Sequence, residues 1–292
     1  MASLQDIRSR IDSVKNTQQI TRAMKMVSAA KLKKAQDRIT NMRTYAQKLL
    51  SIIADIAVSH RVEHPLLSVS VDTKKTLLIV LTSDRGLCGG FNANINRFAY
   101  DYYLNNKDKY DVLDIIFIGK KAADFFKSRQ VQAKRVSTNM AKEISYSYAS
   151  ELASEIKEDF ATGAYDEVQI VYNEFKSAIQ QNVVCEKLLP IDLEKSEFEQ
   201  SEMSFAPDLI FEPAPEEMIE SLLDKHFAMQ VFRCMSESVA AEHGARMTAM
   251  ENSTKNAKEM IDNLTITYNK LRQASITTEL TEITSGAEAL KG

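Results

Sequence analysis

A chain of 292 residues with 44% hydrophobic and 26% charged side chains has room for about two domains of ordinary soluble composition. No run approaches the ~20 apolar residues that a membrane span requires, so a spanning helix is excluded. The formal net charge of −3 is unevenly spread: residues 1–59 carry six lysines and five arginines against four aspartates, a net of +7. Residues 192–220 carry ten acids against Lys195 alone, a net of −9. Such asymmetry points to electrostatic docking on a partner.

The first predicted element is a helix over 1–60, because residues 1–64 contain neither glycine nor proline. Leu4, Ile7, Ile11, Val14, Leu32, Ala35, Ile39, Met42, Ala46, Leu49, Ile53 and Ile56 keep one heptad register along it. In the middle that seam turns polar, at Gln18, Thr21, Lys25 and Ser28, while Ile20, Met24 and Val27 form a second stripe. A helix facing two different partners has this pattern. The chain starts helical almost at Met1, without a charged-then-apolar leader or an Arg- and Ser-rich transit segment, which places it on the bacterial cytosolic side. Nucleic acid is disfavoured as a partner of the basic helix, which is committed to a coiled-coil mate and lacks interleaved aromatics.

Residues 70–210 alternate strand and helix and predict a three-layer α/β domain inserted between two helical arms. Lys75–Ser83 is a β-branched apolar run ending at a glycine turn. Asn92–Asn106 follows as a helix capped by Asn92, then a strand at Val112–Ile118 and a helix at Lys120–Ser128. Val131–Val136 reads as a short strand and Met140–Phe160 as a helix stopped near Gly163. Glu167–Phe175 and Ile179–Leu188 make a hairpin around Lys176-Ser177, so the sheet ends in an antiparallel pair.

From Glu216 to Ser285 there is no proline and one glycine, Gly244. A continuous helix of that length runs roughly 105 Å. Met247, Met250, Ala257, Ile261, Leu264, Tyr268 and Leu271 form a heptad seam interrupted only by Thr254. Such a seam needs a mate, and the N-terminal helix supplies it as an antiparallel coiled coil. The shaft is thus residues 1–60 with 212–288. If the arms leave the α/β domain near residues 59 and 212, paired positions sum to about 271, so the C-terminal helix outruns Met1 near Tyr268. Beyond that point it stands alone, with small hydroxylated residues Ser275 and Thr278 on its seam. A single helix of about 20 residues, ~30 Å, needs something to enclose it.

Three local patterns suggest chemistry, and each has a simpler structural reading. The turn Ser83–Asn92 lies at the end of the first strand, where α/β folds bind ligands, but has the spacing of neither GxGxxG nor GxxxxGK. His60-Arg61-Val62-Glu63-His64 matches the HxxEH zinc pattern, yet sits where the first helix frays into Pro65, and the other histidines, His226 and His243, lie on the far arm. Ser83, Asp84 and Cys88 have no histidine between Arg85 and Lys225 to serve as base. Cys88, Cys185 and Cys234 are odd in number and far apart, which reads as buried small hydrophobes in a reducing compartment rather than a disulfide framework or zinc site. No catalytic, cofactor or metal site assembles from these residues.

Four segments carry a resemblance: Ile20–Val27 with Ala29–Leu32, the turn Asp84–Asn92, Gly244–Met250, and Tyr268–Leu280. In order and across the whole chain, they resemble the gamma subunit of F-type ATP synthase. That resemblance implies an antiparallel helical shaft beside a Rossmann-like α/β domain, and a rotor with no catalytic site or cofactor of its own. It implies partners as well: a hexamer of alpha and beta subunits around the shaft, and the epsilon subunit and a proton-driven ring of c subunits at the foot. The location implied is the cytoplasmic face of the bacterial plasma membrane, peripheral to it. Met24, Lys25, Arg246, Gln273 and Thr277 match family positions contacting alpha and beta subunits. Ile11, Leu32, Ile39, Leu49, Ile261, Leu264 and Leu271 are the seam. The paired cysteines of chloroplast members have no match here, so thiol regulation does not carry over. Two other readings compete: a structural coiled-coil tether presenting an α/β module, indifferent to changes at Arg246 or Gln273, and a nucleotide-dependent enzyme that turns over ligand as an isolated chain.

Overall fold

The computed structural model describes residues 3–60, 64–67, 73–138, 144–178, 180–191 and 214–290. The acidic stretch of 192–213 and the centre of the HxxEH pattern, 61–63, lie outside these residues. The chain divides into two compact units, Ala29–Arg246 and Met1–Ser28 with Met247–Gly292. Helix α1, Leu4–His60, and helix α5, Pro215–Ala289, contribute to both. Neither is interrupted, because neither interior contains proline and Gly244 alone breaks the run of side chains before residue 286.

The larger unit is built on a five-stranded sheet of order β3-β2-β1-β4-β5, comprising β1 Lys75–Leu81, β2 Val112–Ile118, β3 Arg135–Ser137, β4 Glu167–Phe175 and β5 Gln181–Leu189. The first four are parallel, and β5 returns antiparallel along β4 with a register irregularity at Val168/Gln169. Central β1 is buried on both faces, which is why it reads as a continuous apolar run rather than an alternation. Its odd residues Leu77, Ile79 and Leu81 face a core formed with α1, α4 (Tyr146–Ala161) and α5. The even residues Leu78 and Val80 face a second core under α2 (Phe91–Asn106) and α3 (Lys120–Lys127). Two-sided burial of a twisted parallel sheet gives the three layers, in the Rossmann-like arrangement.

Several boundaries differ from the sequence reading for local reasons. Helix α2 starts at Phe91 with Gly90 as N-cap and no side-chain cap bond, so Asn92 is not the cap. Its amide is drawn backward instead, where Oδ1 accepts from Ser83 N at 3.0 Å. Helix α4 begins at Tyr146 because Ser145 caps it, accepting from Tyr148 N at 3.2 Å. Strand β3 is limited to Arg135–Ser137, the length over which β2 offers it partners.

In the smaller unit the two helices run antiparallel. Thr21 Oγ1 and Thr254 Oγ1 are 2.8 Å apart, and Lys25 Nζ donates to Glu251 Oε1 at 2.7 Å. These pairs set the local register about one helical turn away from the sum of 271 expected from chain geometry. On α1, Ile7, Ile11, Thr21 and Ser28 are buried at heptad spacing. The answering row on α5 is Met250, Ala257, Ile261, Leu264, Tyr268 and Leu271, and from Arg272 to Leu290 every residue is exposed. Pairing therefore ends near Leu271, three residues later than Tyr268.

Candidate functional site

Two parts of the chain concentrate its chemistry: the turn after β1, and the exposed surfaces of the long helices. The turn lies at the topological switch point, where β1 is flanked by β2 and β4 and the helices depart to opposite faces, the usual ligand crevice of a doubly wound sheet. Here that crevice is filled by the chain's own groups. Ser83 Oγ donates to Arg85 O at 2.6 Å, Asn92 Nδ2 donates to Ser83 Oγ at 2.8 Å, and the same Nδ2 lies 3.2 Å from Cys88 Sγ. The first free amides of α3, which would otherwise face a phosphate, are also engaged. Lys120 N donates to Asp84 Oδ1 at 3.0 Å and Ala122 N to Thr82 Oγ1 at 2.9 Å. Gly119 is required there: its φ is +106°, and a Cβ would lie 2.2 Å from Thr82 O.

Arg246 closes the turn from α5. It is 8% exposed, pairs with Glu242 Oε1 at 2.7 Å one helical turn back, and donates to Gly86 O at 3.2 Å. Burial pushes the Glu242 carboxyl up, and the guanidinium of Arg246 opposes that shift. Leu87, next to Gly86, has φ of +62° and is 65% exposed, an apolar side chain held outward at a backbone cost. Cys88 is buried and its thiol pKa is raised by burial, which leaves it protonated and unreactive. Burial likewise pushes Cys185 and Cys234 up to about 12.

On the helices, the residues singled out from sequence fall in different settings. Met24 and Lys25 are half-buried beside exposed Ile20 and Val27, which form the second stripe. Gln273 and Thr277 sit on the unaccompanied part of α5, fully exposed, with Thr277 Oγ1 donating to Gln273 O at 2.9 Å. Arg246 is engaged inside the larger unit. The seam residues Leu32, Ile39 and Leu49 are buried, Ile11 is buried in the smaller unit, and Ile261, Leu264 and Leu271 are half-buried there. Sequence reasoning missed the polar cluster around Arg233, which joins α5 to Glu186 and Tyr172 of the β4–β5 pair. No local motif marks it, because its members are separated by 14 and 47 positions in the chain.

Among the described residues, no group of three or more His, Cys, Asp or Glu side chains is placed to hold a metal ion. The same residues include no helix long and apolar enough to cross a membrane. His64, the last residue of the HxxEH pattern, accepts from Leu66 N at 3.1 Å through Nδ1, a local turn contact.

A family model described as ATP synthase matches residues 3–290. The ATP synthase gamma chain of Bdellovibrio bacteriovorus is 59% identical over 295 residues, covering 100% of both chains. That of Geobacter metallireducens is 47% identical over 293 residues, again covering 100% of both. Among solved structures, a chain from the Tetrahymena thermophila mitochondrial ATP synthase central stalk and c-ring superposes with TM-score 0.61 at 30% identity, covering 80% of this chain and 98% of that one. A chain from the Euglena gracilis mitochondrial ATP synthase OSCP/F1/c-ring in rotational state 3 superposes with TM-score 0.67 at 25% identity, covering 98% and 94%. With relatives matched end to end and a shared central-stalk fold, the chain belongs to the gamma chain family of ATP synthase.

Proposed function

We propose that this chain, as the central rotor of an ATP synthase, works without a catalytic site of its own and delivers torque through its long helices. The observation that carries this reading is the end of α5. From Arg272 to Ala289 it is a single helix exposed on every side, with Ile276, Leu280 and Ile283 exposed to solvent. A lone helix of that length is marginal in water, and apolar side chains spaced along it call for an enclosing surface. The alpha and beta subunits supply that enclosure. Gln273 and Thr277 contact them from the tip, Met24 and Lys25 from the second stripe of α1, and Arg246 through the turn that presents Leu87.

The filled crevice at the switch point supports the absence of chemistry, since the groups that would bind a phosphate hold one another. An asymmetric shaft then acts by differential contact, stabilising a different conformation in each beta subunit as it turns. Partners at the other end are the epsilon subunit and the proton-driven c-ring, a reading supported by the c-ring assemblies of the solved relatives. Within that complex the chain lies peripherally, on the cytoplasmic face of the bacterial membrane, a reading supported by its free thiols Cys88, Cys185 and Cys234.

The test is ATP-driven acidification of inverted membrane vesicles assembled with and without this chain. Pumping that depends on the chain, with alpha, beta and epsilon subunits retained on it during purification, is the expected result. Nucleotide turnover by the isolated chain, or pumping that is unchanged without it, would overturn the reading.

A further inference from the structure

Helix α5 meets the sheet mainly through Ile219, Leu223, Phe227, Val231 and Met235, all buried in the core that it shares with α4 and β4. Apolar burial of this kind is strong but non-directional. It opposes separation of helix and sheet far more than it opposes a small turn of the helix about its own axis. A rotor domain that passes torque into a helix needs something that resists that turn.

The polar cluster at Arg233 has the required geometry. Its Nε donates to Gln230 Oε1 at 2.7 Å and its Nη1 to Tyr172 Oη at 3.1 Å and Glu237 Oε1 at 3.3 Å, while Nη2 donates to Glu186 Oε1. Tyr172 Oη in turn donates to Glu186 Oε2 at 2.8 Å, so both oxygens of that carboxylate are engaged. The planar fork of the guanidinium is thus held by two strands and by its own helix at once. Charge-assisted bonds of this type are directional and short-ranged.

We propose that Arg233 is the positioning residue that locks the rotation of α5 against the β4–β5 pair, so that torque enters the helix without slip. The lever is short: a guanidinium lies about 6 Å from the helix axis, so a twist of about 10° moves it by ~1 Å, enough to break its hydrogen bonds. A second, independent contact lies on the same helix face three turns further along. There Gly244 approaches the hairpin so closely that a Cβ would sit 3.3 Å from Ala178 Cα and O and 3.4 Å from the Phe175 ring. Positions 233 and 244 lie on one helical face, three turns apart, and each meets β4, β5 or their connection. The helix is keyed to the hairpin at two heights, by charge at one and by close backbone approach at the other.

This inference rests on the rotor reading, and the experiment separates their failures. Complete ATP synthase carrying Arg233→Met, Arg233→Lys, Glu186→Gln or Tyr172→Phe is prepared in inverted vesicles. ATP hydrolysis and acidification are measured together, each normalised to assembled complex. Arg233→Met keeps apolar bulk and removes the fork. It is expected to lower protons pumped per ATP at least threefold with hydrolysis per complex retained, Arg233→Lys falling between it and the unaltered complex. Glu186→Gln, isosteric and uncharged, is expected to lower the ratio about twofold.

An unchanged ratio in both Arg233→Met and Glu186→Gln overturns the lock. So does a fall of hydrolysis and pumping in proportion, which marks a merely structural role. If Arg233→Met does not assemble, Glu186→Gln and Tyr172→Phe decide the matter alone, and normal ratios in both overturn it. Failure of the rotor reading has a different signature, in which vesicles lacking the chain altogether pump as well as those containing it.

Discussion

His226 shows how a single buried side chain sets a pH limit on the larger unit. Its imidazole is 3% exposed, Nδ1 has no hydrogen-bond partner among the described residues, and Nε2 lies 3.4 Å from Gln230 Nε2. Burial, aided by the nearby charge of Arg233, lowers its pKa from 6.5 to about 4. A histidine with a depressed folded-state pKa binds its proton in the unfolded chain first. Its contribution is therefore fully present above pH 6.5 and is lost as pH falls toward 4, to the extent of about 3 kcal/mol. Urea unfolding of the purified chain between pH 7 and pH 4 should show this loss, and His226→Gln should flatten it. An identical slope in the variant would show that other groups carry the acid limb. At the same scale, the Glu242–Arg246 pair is buried on both sides, so Arg246→Ala leaves a carboxylate without compensation and is expected to destabilise the unit by about 3–5 kcal/mol. Lys25→Ala breaks only an exposed pair with Glu251 and is expected to change stability by less than about 1 kcal/mol.

For the long helices the relevant quantity is how well the seam is shared. Residues through Leu271 keep at least one side covered, and those beyond keep none. Amide exchange of the lone chain should therefore be slow from Met250 to Leu264 and fast from Arg272 onward, with the tip slowing on assembly with alpha and beta subunits. Protection of the tip in the lone chain would contradict this. Substitutions on the seam separate two ways of transmitting work. A proline inside α5 costs about 3 kcal/mol and kinks the helix, and an aspartate at the half-buried seam position 261 removes an apolar contact and places an unpaired charge against the facing helix. Leu264→Pro and Ile261→Asp are thus expected to impair coupling or assembly severely. Joint replacement of Lys25, Lys31, Lys33 and Lys34 by alanine should leave ATP-driven pumping largely intact, since exposed ion pairs are individually weak and screened by salt. Abolished pumping in the alanine set, with normal pumping in Ile261→Asp, would mean that torque is electrostatic.

At the scale of the whole molecule, the rotor has two tasks that demand opposite surfaces. In the larger unit β1 is buried on both faces, two cores flank the sheet, and Arg233 and Gly244 bring α5 against the β4–β5 pair and its connection. The tip carries small hydroxylated and apolar residues that are exposed and, among the described residues, lack a mate helix, as the proposed contact with alpha and beta subunits requires.

Much of this was legible in the chain. Heptad spacing of Ile7, Ile11, Leu32, Ile39 and Leu49 and of Met250, Ala257 and Ile261 identified two long helices, because a period of 3.5 is a local property that needs no knowledge of the partner. The β-branched apolar run of β1 announced a strand, and the hairpin at Lys176-Ser177 announced the antiparallel edge, whereas burial of β1 on both faces came from the tertiary structure. Tertiary structure alone decided the remainder. The helix register in the smaller unit is set by side chains meeting across the pair, Thr21 with Thr254 and Lys25 with Glu251, which no single-helix pattern contains. Asn92 left the capping role because Ser83, nine residues away, offered it better partners. The Arg233 cluster joins three elements distant in sequence, and its hydrogen bonds exist only once the sheet and α5 have been brought together. Periodicity records which face of an element is buried, whereas directional polar contacts depend on which atoms arrive opposite one another, and folding alone brings them there.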